Sequence, residues 1–203
     1  MNWKELIETL AEGRSVKLIS TATTGLSGDD DELLAVSVLS PEDVGSVIHT
    51  YFKRVDDRDK VLKSQPYHKI TPEMSLEGRT VEDFVGAVKE ELDNSIVFTY
   101  NPSFHSKFLS KQGIETRLHS LPLFLKGAEM RMVLFDDEAG SINALEETFT
   151  RKAGAVKKFN KLAEEMGLSP VSIELPLQFS CRVLLALWKR MVEIPVLVQG
   201  TLL

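Results

Sequence analysis

The sequence has little of what most often carries protein chemistry. Cys181 is its one cysteine among 203 residues, so no disulfide forms within the chain, and its apolar setting predicts a buried structural thiol. Glycine-rich phosphate loops, HExxH and GxSxG motifs are missing. No run reaches the roughly 18 apolar residues of a membrane span, and the first residues do not resemble a secretory signal. We therefore expect a soluble, cytoplasmic protein that makes no membrane contact.

The charge balance gives no general attraction for nucleic acid. The formal net charge is -6 and the sequence pI is about 5.3. The densest basic stretch, over residues 151–161, is flanked by glutamates and is typical of a solvated helix face. With 43% hydrophobic residues and no long polar tract, residues 1–203 are predicted to form a single domain with its core over about residues 16–192.

The first half of the chain predicts a helix followed by three strands. Residues 2–12 have the apolar spacing of a helix that ends at Gly13. An apolar run over 16–19 leads into small residues at 20–26, and alternating runs follow at 33–39 and 46–55. Short connections between them predict an antiparallel meander. Residues 56–78 are predicted to be a loop with one short helical turn starting at Thr71.

The second half alternates helices with a strand. A helix over 80–92, with Thr80 and Asp83 as a capping box, precedes a buried strand at 95–99 and a helix from Pro102 to about residue 111. The apolar stripe of the helix over 80–92 is Val81, Phe84, Val85, Val88 and Leu92. Residues 130–135 fit a strand or a helix, and 142–166 fit one or two helices. A helix over 179–192 is expected to face the core with Cys181, Leu184, Leu185, Trp188 and Val192. The tail residues Val196, Val198 and Leu202 are expected to add an edge strand or to dock onto the domain.

Three segments carry a resemblance to a known family. Residues 20–26 read STATTGL, residues 68–74 read HKITPEM, and residues 97–109 read VFTYNPSFHSKFL. They resemble the motifs of the DEDD superfamily of 3′-to-5′ exonucleases, exemplified by the epsilon subunit of bacterial DNA polymerase III. The family's first motif is Asp-x-Glu-Thr-Thr-Gly-Leu, and here Thr-Thr-Gly-Leu is kept while both acids are replaced. The resemblance implies an α/β, ribonuclease H-like fold: a mixed sheet of a three-strand antiparallel meander plus parallel strands, flanked by helices.

The same resemblance implies where the catalytic residues should lie. In the family, four carboxylates hold two divalent ions and a histidine acts as general base. Aligning the last helix places its third motif near 175–180 in this chain. The five positions are then Ser20, Ala22, His105, Leu175 and Ser180, none of which is a carboxylate. The residues that could remain of the cleft are Thr23, Thr24, Gly25, Tyr100, Asn101 and Phe104.

These replacements favour a catalytically inactive, exonuclease-like domain that needs no metal or other cofactor. Its expected role is binding or assembly, with single-stranded nucleic acid or a replication or repair protein as partner. His105, as a lone histidine, is interpreted as a polar filler rather than a ligand.

Two alternatives stay open. The chain could be an active enzyme that uses Mg²⁺ or Mn²⁺ bound by displaced acids at 29–32 or 136–138, or the motifs could match by chance in another α/β domain.

Overall fold

The computed structural model describes residue 9 and residues 12–43, 45–121, 163–164 and 166–201, with side chains through residue 189. Its centre is a mixed five-stranded sheet in the order β3-β2-β1-β4-β5. The strands are β1 (Ser15–Thr23), β2 (Leu33–Leu39), β3 (Ile48–Phe52), β4 (Ser95–Thr99) and β5 (Leu118–Ser120). The first three pair antiparallel, and β4 and β5 join them in parallel. This is the predicted sheet.

Five helices have described bounds. They are α1 (Arg58–His68), α2 (Pro72–Leu76), α3 (Val81–Leu92), α4 (Pro102–Lys111) and α5 (Pro176–Thr201). No helix in the described part of the chain is long and apolar enough to cross a lipid bilayer.

The helices cover both faces of the sheet, and β1 is central to both layers. Side chains alternate along a strand, so Val16 and Leu18 face one layer and Ile19 faces the other. Val16 and Leu18 pack in a buried cluster with Leu184 and Trp188 of α5. Ile19 packs in a second cluster that includes residues of α3 and α4. The sheet is therefore enclosed between α5 on one side and α3 with α4 on the other.

Local capping explains why two of the helices start where the sequence predicts. The Thr80 hydroxyl accepts from the Asp83 amide at 3.2 Å and donates to the Asp83 carboxylate at 2.8 Å. Asn101 caps α4, and Pro102 occupies the first helical position, where its missing N–H is not needed. These contacts confirm the predicted starts of α3 and α4.

The prediction of a loop over residues 56–78 is wrong over its first half, where α1 forms. Asp57 caps this helix by accepting from the Lys60 amide, and the helix continues past Pro66 to His68. Its buried positions are Val61, Ser64 and His68, so polar residues supply most of the face that meets the core. An apolar stripe, the usual sign of a helix, is therefore missing here. The short turn predicted at Thr71 is confirmed as α2.

Other boundaries differ from the prediction. β3 is shorter than residues 46–55, because Gly45 and Ser46 have positive φ. Val81, expected on the buried stripe, is 51% exposed because it lies in the first turn of α3, beyond the core contacts. α5 continues to Thr201, so residues 196 and 198 form no edge strand. The helix predicted over 2–12, the segment 130–135 and most of 142–166 lie outside the described residues.

Candidate functional site

The positions that align with the motifs lie on β1, on the helix after β4 and at the start of α5. The neighbouring strands β1 and β4 are parallel, and the chain leaves β1 toward β2 on one side and β4 toward β5 on the other. In open α/β sheets, a point where strand order reverses is where a ligand-binding crevice forms. The helix α4 starts directly after β4, and the start of α5 packs near the end of β1. We call this region the β1 edge.

Ser20 and Ala22, which occupy the two acid positions of the first motif, are buried in neutral surroundings. They are 7% and 5% exposed. The backbone of Ser20 contacts the buried thiol of Cys181, whose pKa is raised by burial. Ala22 shares an apolar cluster with buried Leu177 and half-buried Leu175. The structure therefore places Ala22 and Leu175 in one apolar cluster.

Ser180, the other position of the third motif, uses its hydroxyl within its own helix. The Ser180 Oγ donates to the Pro176 carbonyl at 3.0 Å. This bond to the preceding turn is a common way for a helical serine to satisfy its hydroxyl. Because the single hydroxyl proton is engaged there, Ser180 offers no anionic or converging group to the β1 edge.

His105 reaches β1 from the opposite face. Its Nδ1 lies 2.8 Å from the Thr21 hydroxyl, and its ring meets Phe104 edge-on at 5.3 Å between centroids. Burial lowers the pKa of His105 to about 4, so the ring is neutral at pH 7. Side chains alternate along a strand, so Thr21 points to the opposite face from Ser20 and Ala22. His105 therefore contacts β1 on the face away from those two motif positions. This neutral pair fits the interpretation of His105 as a polar filler.

The Thr-Thr-Gly-Leu turn is held rigidly by its own hydrogen bonds. The Thr24 hydroxyl donates to Asp31 at 3.2 Å and accepts from the Glu32 amide at 2.9 Å. Thr23 donates to the carbonyl of Gly25 at 2.6 Å. A Cβ on Gly25 would overlap the Asp31 carboxylate, which explains why a glycine is needed there. The turn presents Leu26, which is 82% exposed.

Tyr100, Asn101 and Phe104, the other residues predicted for the cleft, have structural roles. Asn101 accepts the Phe104 amide at 3.3 Å as the cap of α4. Phe104 packs against Phe108 in the α3–α4 layer. Tyr100 packs against the α5 layer, and burial raises its pKa to about 12. Each contact helps to fix α4 relative to the sheet.

The acidic loop over 29–32, the proposed source of displaced metal ligands, is occupied by internal contacts. Asp31 accepts the Ser27 amide at 2.9 Å, Asp30 accepts the Ser27 hydroxyl at 3.0 Å, and Glu32 pairs with Lys53 at 3.0 Å. Lys111 binds the backbone carbonyls of residues 29 and 31. Within the described ranges, no three His, Cys, Asp or Glu residues converge as a metal site would require. The acids at 136–138 lie outside those ranges.

The donor set at the β1 edge therefore does not fit the two divalent ions of the family. Magnesium and manganese need several hard oxygen ligands with negative charge. A methyl group, a leucine, two serine hydroxyls and a neutral histidine provide no such charge. We derive no metal-dependent step for these residues.

Sequence reasoning missed Lys53, which lies near this edge and is 4% exposed. Its ammonium group pairs with Glu32 at the start of β2. A lysine at the end of an alternating strand ordinarily predicts an exposed side chain, so the sequence held no signal for its burial.

Comparison with known proteins supports the fold and goes no further. No protein-family model matches the chain. No curated protein matches it either. Among solved structures, exonuclease I from Methylocaldum szegediense is 16% identical with a TM-score of 0.59, covering 89% of this chain and 42% of that one. The zinc-bound E. coli exonuclease I–ssDNA complex gives 12% identity and a TM-score of 0.56, over 87% of this chain and 40% of that one.

A chain in the structure of the yeast NOT1 MIF4G domain co-crystallised with CAF1 is 13% identical with a TM-score of 0.58. That match covers 95% of this chain and 84% of the other. The chain studied here thus spans less than half of the exonuclease I chains. Its α/β fold is exonuclease-like and ribonuclease H-like, and at these identities the similarity extends to the fold alone.

Proposed function

We propose that this chain is a catalytically inactive exonuclease-like domain that serves as a binding or assembly module. One observation carries the proposal: none of the side chains at the motif positions is a carboxylate, where a nuclease needs a cluster of them. Ala22 and Leu175 share an apolar cluster, Ser180 is bonded within its helix, and His105 is buried and uncharged. Two-metal hydrolysis depends on anionic ligands that hold both ions, so these groups favour loss of catalysis.

The charges around the same edge favour a protein partner over nucleic acid. Four lysines lie close to the acidic loop: Lys53 pairs with Glu32, Lys60 and Lys111 donate to carbonyls of the loop, and exposed Lys107 lies against Gly28. Four carboxylates at 29–32 balance these charges, so the region has no cationic excess, and affinity for nucleic acid rises with the number of phosphates neutralised. With a net charge of -6, the chain adds no general attraction.

A single-stranded nucleic acid remains the second candidate ligand because of one feature. Leu26 is 82% exposed at the tip of a rigid turn beside the crevice, where an apolar side chain could contact a base. One structural neighbour is a complex of exonuclease I with ssDNA, and another comes from a NOT1–CAF1 protein complex. These neighbours therefore fit either class of partner.

The test combines nuclease and binding assays on the full chain. A 3′-labelled and a 5′-labelled single-stranded 20-mer are incubated with excess protein and Mg²⁺ or Mn²⁺, and fluorescence anisotropy follows binding as salt is varied. We expect both oligonucleotides to stay intact and anisotropy to change little at 150 mM salt. Salt-dependent binding without cleavage would select nucleic acid as the partner. Chelator-sensitive shortening from the 3′ end would overturn the proposal.

A further inference from the structure

Within the part of the chain that the structure describes, the outer edge of β3 is open over most of its length. In the sheet order β3-β2-β1-β4-β5, the described neighbour of β3 is β2. The Lys53 amide donates inward to the Leu34 carbonyl at 2.8 Å. Since backbone groups alternate between the two sides of a strand, Ile48, Thr50 and Phe52 direct theirs outward. We call Ile48, Thr50 and Phe52 the open edge.

A neighbouring segment covers one end of this edge and demonstrates that it can pair. Arg79 donates its amide to the Phe52 carbonyl at 2.9 Å, and its carbonyl accepts from the Arg54 amide at 2.8 Å. This is an isolated parallel bridge between Lys53 and Arg79. Among the described residues, no backbone group pairs with the outward groups of Ile48 and Thr50. The open edge therefore has room for one short extended segment.

A polar groove of about 490 Å³ adjoins β3 on the face covered by α3. It is lined by Lys17, His49, Tyr51 and Arg79 and, from α3 and its carboxyl end, by Glu90, Glu91 and Asp93. Lys17 is already paired with Glu91 at 2.8 Å, and Arg79 lies over the Tyr51 ring at 5.3 Å. Glu90 and Asp93 are exposed. Carboxylates thus outnumber the fixed cations, and the uncommitted ones lie on the rim.

The two sides of β3 differ in character. His49 and Tyr51 project toward the groove, whereas Ile48 and Phe52 project to the other side, where they pack against apolar clusters. A strand added to this edge would continue both faces, because side chains alternate in register across a sheet. Basic side chains would meet the groove, and apolar side chains would extend the opposite face.

We propose that the open edge of β3 binds an extended segment of a partner protein that alternates basic and apolar residues. Main-chain hydrogen bonds to Ile48 and Thr50 would hold the segment, and its basic side chains would meet the groove beside exposed Glu90. A second copy of this chain fits less well, because it would bring two acid-rich grooves together. The inference is independent of the β1 edge and would hold even if that edge proved catalytic.

The test uses a capped, fluorescent heptapeptide, Thr-Lys-Val-Lys-Val-Lys-Thr, titrated into the full chain. We expect saturable anisotropy, and amide NMR shifts confined to residues around 48–54 and the groove. An added strand directs only alternate amides toward β3, so two analogues are made, one N-methylated on the lysines and one on the valines. One analogue should lose binding while the other keeps it.

Charge is tested on both partners. Replacing the lysines of the peptide by glutamates should abolish binding, and the Glu90→Gln variant should weaken it at least fivefold. Glu82→Gln, an exposed change on α3 away from the groove, is the matched control and should bind as the unaltered chain does. Equal binding of both methylated analogues, shifts elsewhere on the protein, or no binding at millimolar peptide would each overturn the proposal. The proposal would also be overturned if sedimentation showed a dimer of the chain that the Lys peptide fails to dissociate.

Discussion

Two residues on the same face of β1, four positions apart, are partnered in opposite ways. Lys17 pairs with Glu91 of α3 at 2.8 Å, within a network that also includes Tyr51 and His49. Thr21 is bonded to His105 of α4 at 2.8 Å, and that histidine is neutral. Ile19, between them, is in the core. On this face the amino end of β1 thus carries a charged pair, whereas the Thr21 position near its carboxyl end carries a neutral one.

The absence of charge at the Thr21 position is local. A compensated charge cluster lies elsewhere on the same strand. Burial opposes ionisation of Glu91, but hydrogen bonds from Lys17, Tyr51 and His49 outweigh that effect and hold its pKa below the usual range. Near the carboxyl end of β1, the charged groups are Asp31 and the Glu32–Lys53 pair of the adjoining turn, and the motif positions themselves hold uncharged side chains.

The largest expected effect comes from removing the charge at the amino end. Glu91→Gln leaves the Lys17 ammonium, 15% exposed, without its counterion, so we expect a loss of about 2 to 3 kcal/mol in the free energy of unfolding. Burial and the Glu91 carboxylate together raise the pKa of Tyr51 to about 12, so this pKa should fall in the variant. Urea denaturation and ultraviolet titration of tyrosine measure the two effects.

Asp56→Asn is the matched control, because it removes an acid from the exposed Arg54–Asp56 pair. It should change the free energy of unfolding by less than about 0.5 kcal/mol. Equal losses in the two variants would contradict the contrast between a buried charge network and ordinary surface pairs.

The neutral pair at the carboxyl end predicts sensitivity to acid. The pKa of His105 is about 4 in the folded chain, below the ordinary 6.5, so its contribution to stability is complete above pH 6.5 and is lost as the pH falls toward 4. From pH 7 to pH 5 this amounts to about 2 kcal/mol. In His105→Asn, which keeps a polar group for Thr21, that part of the decline should disappear from denaturation curves.

His68 provides the internal reference for this experiment. Burial lowers its pKa to about 4 as well, and its ring is fixed by Ser64 and the Ile70 amide away from β1. A decline of about 2 kcal/mol from His68 should persist in His105→Asn. If His105→Asn loses as much unfolding free energy between pH 7 and pH 5 as the unaltered chain does, then His105 is accessible to protons in the folded chain. That result would contradict its burial beside Thr21.

A smaller effect tests the rigid turn at the β1 edge. Gly25→Ala would place a methyl group against the Asp31 carboxylate, which holds the Ser27 amide and the Thr24 hydroxyl. Displacing that carboxylate should lower the free energy of unfolding by about 1 to 2 kcal/mol. Gly86→Ala, in α3 with no atom near the added methyl, should instead raise it by about 0.5 to 1 kcal/mol. Thermal denaturation of both variants measures these changes. A lower free energy of unfolding in Gly86→Ala would contradict the packing described.

Local signals were enough to predict much of the fold. β1, β2 and β4 are marked by apolar runs, α3 by the cap at Thr80 and α4 by Pro102 at its first position. α1 was missed because Ser64 and His68 occupy its buried face, and periodicity counts only apolar residues. β5, with three residues, is too short to carry a periodic pattern.

The candidate site was predictable only where motifs lie along one strand or helix. The replacements at Ser20 and Ala22 are visible in the sequence itself. The Thr21–His105 bond joins residues 84 positions apart, and the Lys17–Glu91 pair joins residues 74 positions apart. Such contacts depend on how the layers pack, which local patterns do not encode. The placement of Leu175 and Ser180 in the third motif stays a prediction.

The most direct test of the central claim is calorimetric titration of the full chain with Mn²⁺, with a labelled single-stranded oligonucleotide present in a parallel reaction. The neutral β1 edge predicts no saturable heat of metal binding and an oligonucleotide that keeps its full length. Tight Mn²⁺ binding together with chelator-sensitive loss of nucleotides from the 3′ end would contradict it.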